Sequence, residues 1–278
     1  MYLKYFEFKE SPFNLTPNSR FFFEGTKHME ALNSLFYAIS HRKGFIVITG
    51  EIGSGKTTVS RALINKLDKN TEIALITNTH VSGKDLLMTL LEDLEIEFKP
   101  RFSKARLLSC LNDYLLAQAQ RGHNVVLIID EAQNLKPDVL EEVRMLSNLE
   151  TETEKLIQIV LIGQPELKQK LGLSRLEQLR QRVAIYFHLS PLGFDETQEY
   201  ILHRLNVASQ SNREYFSKEA IKLAYQFSNG VPRLINQICD SALLTGYVDG
   251  SVIIDEHIMG EAIGESPMNV LSNAVSAN

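Results

Sequence analysis

The stretch Gly50-Glu51-Ile52-Gly53-Ser54-Gly55-Lys56-Thr57 decides the fold of this 278-residue chain. An apolar run at residues 45–49 precedes it, and apolar residues at helical spacing follow it over residues 59–67. Strand, glycine-rich turn and helix form the context that a phosphate-binding loop (P-loop) requires. The glycines let the backbone turn tightly and point its N–H groups at a phosphate chain, which also faces the positive end of the next helix. The sequence therefore predicts a nucleotide site.

Individual residues of the P-loop have expected roles. Lys56 should reach the β- and γ-phosphates, and the Thr57 hydroxyl should ligate Mg²⁺. The predicted nucleotide-binding residues of this segment are Gly50, Glu51, Ile52, Gly53, Ser54, Gly55, Lys56, Thr57 and Thr58.

A second signal follows the apolar run at residues 125–129, where Asp130-Glu131 ends a predicted buried strand. In open α/β sheets, ligands bind beyond the carboxyl ends of the strands, which is also where the P-loop lies. We expect Asp130 to hold Mg²⁺ and Glu131 to activate or orient the attacking water. Gln164 follows another predicted strand, residues 157–162, and should reach the γ-phosphate or the attacking water at the same edge.

The composition is that of a globular protein, with 44% apolar residues, 23% charged residues and a net charge of −5. It carries no overall basic signal for nucleic acid. Cys110 and Cys239 lie in helix-like patterns, which favours buried thiols over a disulfide or a metal site. No apolar run is long enough to span a membrane, and residues 1–25 lack the apolar core of a signal peptide. These features predict a cytoplasmic protein.

Four segments are predicted: an aromatic and proline-rich arm at 1–25, an αβα core at 26–190, a helical lid at 191–264 and a flexible tail at 265–278. The rings of the arm are expected to pack on the core, to help to cover the adenine and ribose of a nucleotide, or to do both, since the two roles are compatible.

Two serines begin sequence patterns of the capping-box type, which opens helices. Ser82 precedes a predicted helix that extends to about residue 94, and Ser174 precedes one that extends to Arg182. Arg233 falls in the first turn of a predicted lid helix that begins at Pro232. The positive end of the helix dipole disfavours a cation there, whereas the negative charge of a bound polyphosphate would make the cation favourable.

Taken together, these motifs resemble the AAA+ superfamily of P-loop ATPases. More narrowly, the chain is similar to the ExeA/GspA-type secretion ATPases and their shorter MshM-like relatives in mannose-sensitive haemagglutinin pilus biogenesis. The stretches that carry the resemblance are Tyr5-Phe6-x-Phe8, Ser11-Pro12-Phe13, Gly44-Phe45-Ile46-Val47-Ile48-Thr49-Gly50-Glu51, Asp130-Glu131-Ala132-Gln133-Asn134-Leu135, Gly163-Gln164-Pro165-Glu166-Leu167, Gln181-Arg182-Val183 and Gly230-Val231-Pro232-Arg233-Leu234-Ile235-Asn236.

The resemblance implies a P-loop NTPase (AAA+) fold, a three-layer αβα core with a central parallel sheet and an all-helical lid, and it implies ATP and Mg²⁺ as cofactors. Arg182 matches the arginine finger that reaches the γ-phosphate of a neighbouring subunit, with Arg180 as the alternative. Arg233 matches sensor 2 on the lid, and Gln164 takes the place of sensor 1, where many AAA+ proteins carry Asn or Thr. A finger supplied by another subunit implies a homo-oligomer, either a ring or a helix.

Three functions are compatible with this resemblance. The first is an ATPase, activated by oligomerisation, that energises or regulates a bacterial secretion or type IV pilus system through an inner-membrane partner protein. The second is a DNA-associated AAA+ regulator similar to the transposition ATPases, which the acidic balance and the absence of a basic tail disfavour. The third is a scaffold that assembles with ATP and hydrolyses it slowly.

Overall fold

A computed structural model describes residues 2–266 except residues 17, 153 and 212. From residue 267 on, the predicted tail lies outside the described residues. The chain divides into two units. The sheet unit consists of Met29–Ile52 and Val59–Leu189, and the helical unit consists of Met1–His28, Gly53–Thr58 and Ser190–Asn278. The aromatic arm and the P-loop turn thus group with the lid helices.

Five parallel strands form the sheet in the order β2-β3-β4-β1-β5. Their bounds are β1 Phe45–Gly50, β2 Thr71–Ile76, β3 Asn124–Ile129, β4 Gln158–Gly163 and β5 Val183–Leu189. Every residue of β1 and β4 is buried, because these two strands lie inside the sheet and have both faces covered. Edge strand β5 instead alternates between partly buried and exposed residues before its buried last residue.

Helices connect the strands, as parallel pairing requires. The helices are α1 Tyr2–Tyr5, α2 Thr26–Ser40, α3 Lys56–Lys66, α4 Gly83–Asp93, α5 Lys104–Gln120, α6 Pro137–Leu146, α7 Pro165–Leu171, α8 Glu177–Arg182, α9 Phe194–Ala208, α10 Lys218–Ser228, α11 Pro232–Val248 and α12 Glu256–Gly264. Short 3-10 turns occur at Ser19–Phe21, Ala132–Asn134 and Ser174–Leu176. None of the described helices is long and apolar enough to cross a membrane.

The core of the sheet unit contains alternate residues of β1 to β4 together with apolar residues of α4 to α8. The other set of alternate strand residues, among them Ile46, Val126 and Val160, is fully buried as well. Both faces of the central strands are therefore covered, which confirms the predicted layered fold with a central parallel sheet.

The helical unit has its own core, to which the aromatic arm contributes Phe6, Phe8, Phe13 and Phe21. Arg204 of α9 fastens the arm from inside this core, where the residue is only 7% exposed. Its guanidinium donates hydrogen bonds to the carbonyl oxygens of Pro12 and Asn14 and to the Tyr200 hydroxyl, and it lies over the Phe21 ring. The arm is thus an integral part of the helical core.

The capping-box prediction at Ser82 is confirmed, since its side chain accepts from the Asp85 N–H and the Asp85 side chain accepts from the Ser82 N–H. The prediction at Ser174 is wrong, because residues 174–176 form a 3-10 turn and no side chain caps α8. The tighter turn buries Leu176 in the core of the sheet unit. Two short helices, α1 and α7, lie where no helix was predicted. Cys110 and Cys239 are both free thiols; Cys239 is buried, as expected, whereas Cys110 is only partly buried.

Candidate functional site

The P-loop turn depends on glycine at two positions. Gly53 has a φ of +79° and Gly55 a φ of +97°, a region that residues with a Cβ atom rarely adopt. A Cβ on Gly53 would lie 2.5 Å from Cβ of Arg233, and one on Gly55 would lie 2.7 Å from Nε2 of His28. Positions 53 and 55 therefore require glycine, because of the backbone conformation and because close neighbours leave no room for a Cβ atom. Lys56 begins α3 and is buried, whereas Thr57 and Thr58 are partly exposed.

Arg233 lies against this turn. The backbone N–H of Arg233 donates to the carbonyl oxygen of Gly53 over 3.2 Å, and Arg233 is exposed to solvent. Pro232 at the first position of α11 fixes the direction in which the helix starts, so that Arg233 falls in its first turn. The structure thus brings Arg233, the predicted sensor 2, to the P-loop turn within the helical unit.

His28 is a neighbour of the P-loop that the sequence did not single out. Its Nε2 lies 3.0 Å from the carbonyl oxygen of Ser54, and because a carbonyl can only accept, Nε2 carries the proton. The residue is 6% exposed, and Nδ1 is buried without a hydrogen-bond partner among the described residues. Burial lowers the pKa of His28, although the bond to Ser54 and the charge of Glu196 act in the opposite direction. Neutral His28 therefore holds the P-loop backbone.

This arrangement predicts a loss of stability in mild acid. The pKa of His28 is lower in the folded protein, so its contribution is present above the unfolded pKa of about 6.5 and is lost as the pH falls through the folded pKa. We expect the melting temperature to fall between about pH 7 and pH 5, and to fall less in His28→Gln, whose amide can still donate to Ser54. Thermal melts over this range test the prediction, with His80→Gln as an exposed control. Parallel pH profiles for wild type and His28→Gln would refute it.

The carboxyl ends of β3 and β1 lie at one edge of the sheet, because the strands are parallel. Asp130 follows β3, is buried and uses Oδ1 to accept the backbone N–H of Glu131. Gly50, the last residue of β1, lies at the same edge. The polypeptide thus delivers the start of the P-loop and the Asp130 carboxylate to the edge where ligands of parallel sheets bind.

Glu131 adopts a left-handed backbone conformation with a φ of +53°. A glutamate disfavours this region, so the conformation must be held by its surroundings. The Thr79 hydroxyl donates to the Glu131 carbonyl oxygen over 3.2 Å. The Glu131 carboxylate accepts hydrogen bonds from two side-chain amides, those of Gln133 and Gln164. A left-handed residue with a fixed carboxylate is typical of a functional site.

Gln164, the predicted sensor 1, is brought to Glu131. Its Nε2 lies 3.2 Å from Oε2 of Glu131, and it precedes the first residue of α7. Gln133 lies within the motif at residues 130–135, and no role was predicted for it from the sequence. Its side chain reaches both residues, with Nε2 at 2.5 Å from Glu131 Oε2 and Oε1 at 3.0 Å from the backbone N of Gln164.

The two candidate fingers differ in how they are held. Arg182, at the end of α8, donates from Nη1 to Oγ of Ser147 over 2.7 Å, and Ser147 donates in turn to the Arg144 carbonyl oxygen. Arg180 is exposed, and among the described residues its side chain has a 3.5 Å hydrogen bond to the carbonyl oxygen of Gly172. Among the described residues of the sheet unit, neither arginine is hydrogen-bonded to Glu131, Gln133 or Gln164.

The described residues contain no group of three or more His, Cys, Asp or Glu side chains arranged around a metal position. Magnesium in nucleotide sites needs no such group, since it takes one or two protein oxygens and completes its shell with phosphates and water. Thr57 and Asp130 offer the hydroxyl and carboxylate oxygens that this ion prefers.

Comparisons with known proteins agree with this geometry. Residues 39–171 match the AAA domain family. The chain is 41% identical over 251 residues to general secretion pathway protein A of Aeromonas hydrophila, a match that covers 90% of this chain and 46% of that protein. The chain therefore spans about half the length of the curated relative it matches.

Two solved structures share the fold. The ORC2 protein of Aeropyrum pernix, in ADPNP-ADP complexes, aligns with a TM-score of 0.72 and 14% identity over 93% of this chain and 72% of that chain. The ORC1 protein of the same organism, in complex with DNA, aligns with a TM-score of 0.67 and 14% identity over 98% of this chain and 73% of that chain. At such identities these structures show the fold alone. From the sheet, the P-loop, the matched domain and the secretion relative together, the chain belongs to the AAA family of P-loop ATPases and is a relative of general secretion pathway protein A.

Proposed function

We propose that this protein binds and hydrolyses Mg-ATP, that assembly into a homo-oligomer activates hydrolysis, and that its activity energises or regulates a bacterial secretion or type IV (MSHA-like) pilus system. The observation that carries the ATPase proposal is the left-handed Glu131, whose carboxylate is fixed by two amides directly after Asp130 at the ligand-binding edge of the sheet. The P-loop turn, with its two glycines at positive φ, supports the nucleotide part.

The roles of the residues follow from their chemistry. The P-loop N–H groups and Lys56 would bind the phosphates, with Arg233 reaching them from the lid, and Thr57 and Asp130 would hold Mg²⁺. Bound Mg²⁺ would supply positive charge at the β- and γ-phosphate oxygens. Glu131 would accept a proton from the attacking water, and Gln164 would orient that water or the γ-phosphate.

The partner proposal rests on the similarity to general secretion pathway protein A, whose name places that protein in a secretion pathway. We infer a cytoplasmic protein that reaches the inner membrane through a partner protein. The pilus assignment rests on the resemblance to the shorter MshM-like proteins and is tested by co-purification with inner-membrane pilus or secretion proteins from the native host.

Replacing Lys56 with alanine is expected to weaken ATP binding about 10- to 100-fold, because it removes the cation that pairs with the β- and γ-phosphates. Titration with a fluorescent ATP analogue measures this effect. Lys69→Ala is the matched control, since Lys69 is an exposed lysine in the loop that follows α3. Equal affinities of wild type and Lys56→Ala would remove the nucleotide part of the proposal.

Measurements of oligomer size together with ATP turnover separate the ATPase from its two alternatives. The ATPase proposal expects ATP-dependent assembly with turnover that rises on assembly and no requirement for DNA. A DNA-associated regulator similar to the transposition ATPases would assemble on duplex DNA in a salt-dependent way. A slow scaffold would assemble with ATP while its turnover stays low. Light scattering and phosphate release with and without ATP, a non-hydrolysable analogue and duplex DNA distinguish the three.

A further inference from the structure

One amide side chain links the ends of two neighbouring strands at the candidate site. Gln133 donates from Nε2 to Glu131, in the segment after β3, and accepts at Oε1 from the backbone N–H of Gln164, directly after β4. The assignment of the amide atoms is fixed by this network. An ionised carboxylate can only accept and a backbone N–H can only donate, so Nε2 must face Glu131 and Oε1 must face Gln164.

The turn that carries Gln133 is itself held from several sides. Nζ of Lys170, on α7, donates to the carbonyl oxygens of Gln133 and Leu135, while the Thr79 hydroxyl donates to the Glu131 carbonyl. Burial lowers the pKa of Lys170, because loss of solvent disfavours the charged ammonium. The position of the Gln133 amide is therefore determined by contacts with α7 and with the segment after β2, as well as by its own turn.

Glycine at position 163, the last residue of β4, makes this approach sterically feasible. A Cβ there would lie 2.8 Å from Oε1 of Gln133 and 3.2 Å from its backbone N. Because a real Cβ atom would push the Gln133 amide away, the close contact between the two strand ends depends on both residues. Gly163 belongs to one of the motifs that carry the family resemblance. Its close contact with Gln133 explains why this position holds a glycine.

We propose that Gln133 is a positioning residue for ATP hydrolysis, which aligns the Glu131 carboxylate and couples it to Gln164. Its Nε2 occupies one lone-pair direction of Oε2, and Gln164 Nε2 occupies a second, which leaves Oε1 of Glu131 as the oxygen without a bond to either amide. That oxygen is the one available to take the proton of the attacking water. The proposal rests on the ATPase function proposed above.

Two substitutions at position 133 test this role. Gln133→Leu keeps the approximate size and removes both hydrogen bonds, so kcat should fall about 10- to 100-fold while KM for ATP changes less than about 2-fold. Gln133→Glu keeps an acceptor for the Gln164 N–H but places a second carboxylate against Glu131. Two carboxylates at hydrogen-bond distance resist double ionisation, so the acid limb of the kcat profile should move up by about one pH unit or more.

Asn134→Leu is the matched control, because Asn134 is the next residue of the same turn and is exposed. It should keep wild-type kcat and pH profile, and ATP-analogue titration should show intact binding in all three variants. If Gln133→Leu does not fold, the pH profile of Gln133→Glu decides. Wild-type kcat and pH profiles in the Gln133 variants would overturn this inference and leave the ATPase intact. An assembled wild type that binds ATP and releases no phosphate would instead overturn the proposed function, and this inference with it.

Discussion

Replacing Glu131 with glutamine is expected to leave Mg-ATP binding intact and to lower turnover by about 10²–10⁴-fold, which is the usual contribution of a positioned general base. Glutamine has the same shape, and its side-chain oxygen can still accept from Gln133 and Gln164. It cannot accept a proton from water at neutral pH. Binding and hydrolysis should therefore separate in this variant, as measured by ATP-analogue titration and single-turnover phosphate release.

Glu166→Gln supplies the control, because Glu166 is an exposed glutamate in the first turn of α7, near the same edge of the sheet. It should turn over ATP at the wild-type rate. If Glu131→Gln traps ATP without hydrolysing it, its oligomer should persist longer than that of the wild type in size-exclusion runs with ATP. Rapid phosphate release by Glu131→Gln would show that the base lies elsewhere.

The strands of the sheet could be predicted because buried parallel strands are continuous apolar runs in sequence. The segment at residues 125–129 is such a run, and in the structure it forms all but the first residue of β3. The edge that carries Asp130 and Gly50 then follows from parallel pairing alone. Short helix α7 was not predicted, because seven residues with only two buried leucines, Leu167 and Leu171, give too little periodicity.

Side-chain contacts between distant segments could not be predicted from the sequence. His28 and Ser54 are separated by 26 positions, and nothing in the local pattern around His28 indicates a bond to the P-loop backbone. The Gln133 amide likewise acquires its role only when β3 and β4 pair and bring residues 131 and 164 together. Such side-chain partners depend on tertiary approach, which a periodicity cannot supply.

The glycines of the P-loop illustrate both situations. Their presence predicted a tight turn, and the positive φ angles of Gly53 and Gly55 agree with that reason. No local pattern indicated that Arg233 and His28 also exclude a Cβ at these positions. Glycine is thus required for two reasons. The backbone conformation can be predicted from the local sequence, whereas the close tertiary neighbours cannot.

Replacing Arg182 with alanine is expected to preserve ATP binding and to reduce turnover of the assembled protein by about 10³–10⁵-fold, the range attributed to arginine fingers. The reason is electrostatic, since a guanidinium that reaches the γ-phosphate of a neighbouring copy stabilises charge in the transition state. Steady-state hydrolysis above the assembly concentration measures the effect. Arg180→Ala is tested in parallel, because Arg180 is the more exposed of the two side chains.

Ser147→Ala distinguishes a finger from a structural arginine. It removes the hydrogen bond from Arg182 Nη1 to Ser147 while keeping the cation, so turnover should remain near the wild-type level. A loss of turnover as large as that of Arg182→Ala would mean that Arg182 acts by holding α8 to the end of α6. Loss in Arg180→Ala alone would transfer the finger assignment to Arg180.

Mixed oligomers decide whether the finger acts between copies. Arg182→Ala subunits retain Glu131, and Glu131→Gln subunits retain Arg182. If the finger is supplied by a neighbour, a site is complete wherever an Arg182→Ala subunit holds the nucleotide and a Glu131→Gln subunit supplies Arg182. The mixture should then recover part of the wild-type turnover, well above the residual turnover of either variant alone. If Arg182 acted on the nucleotide of its own subunit, every site would lack one of the two groups, and the mixture would stay inactive at every ratio.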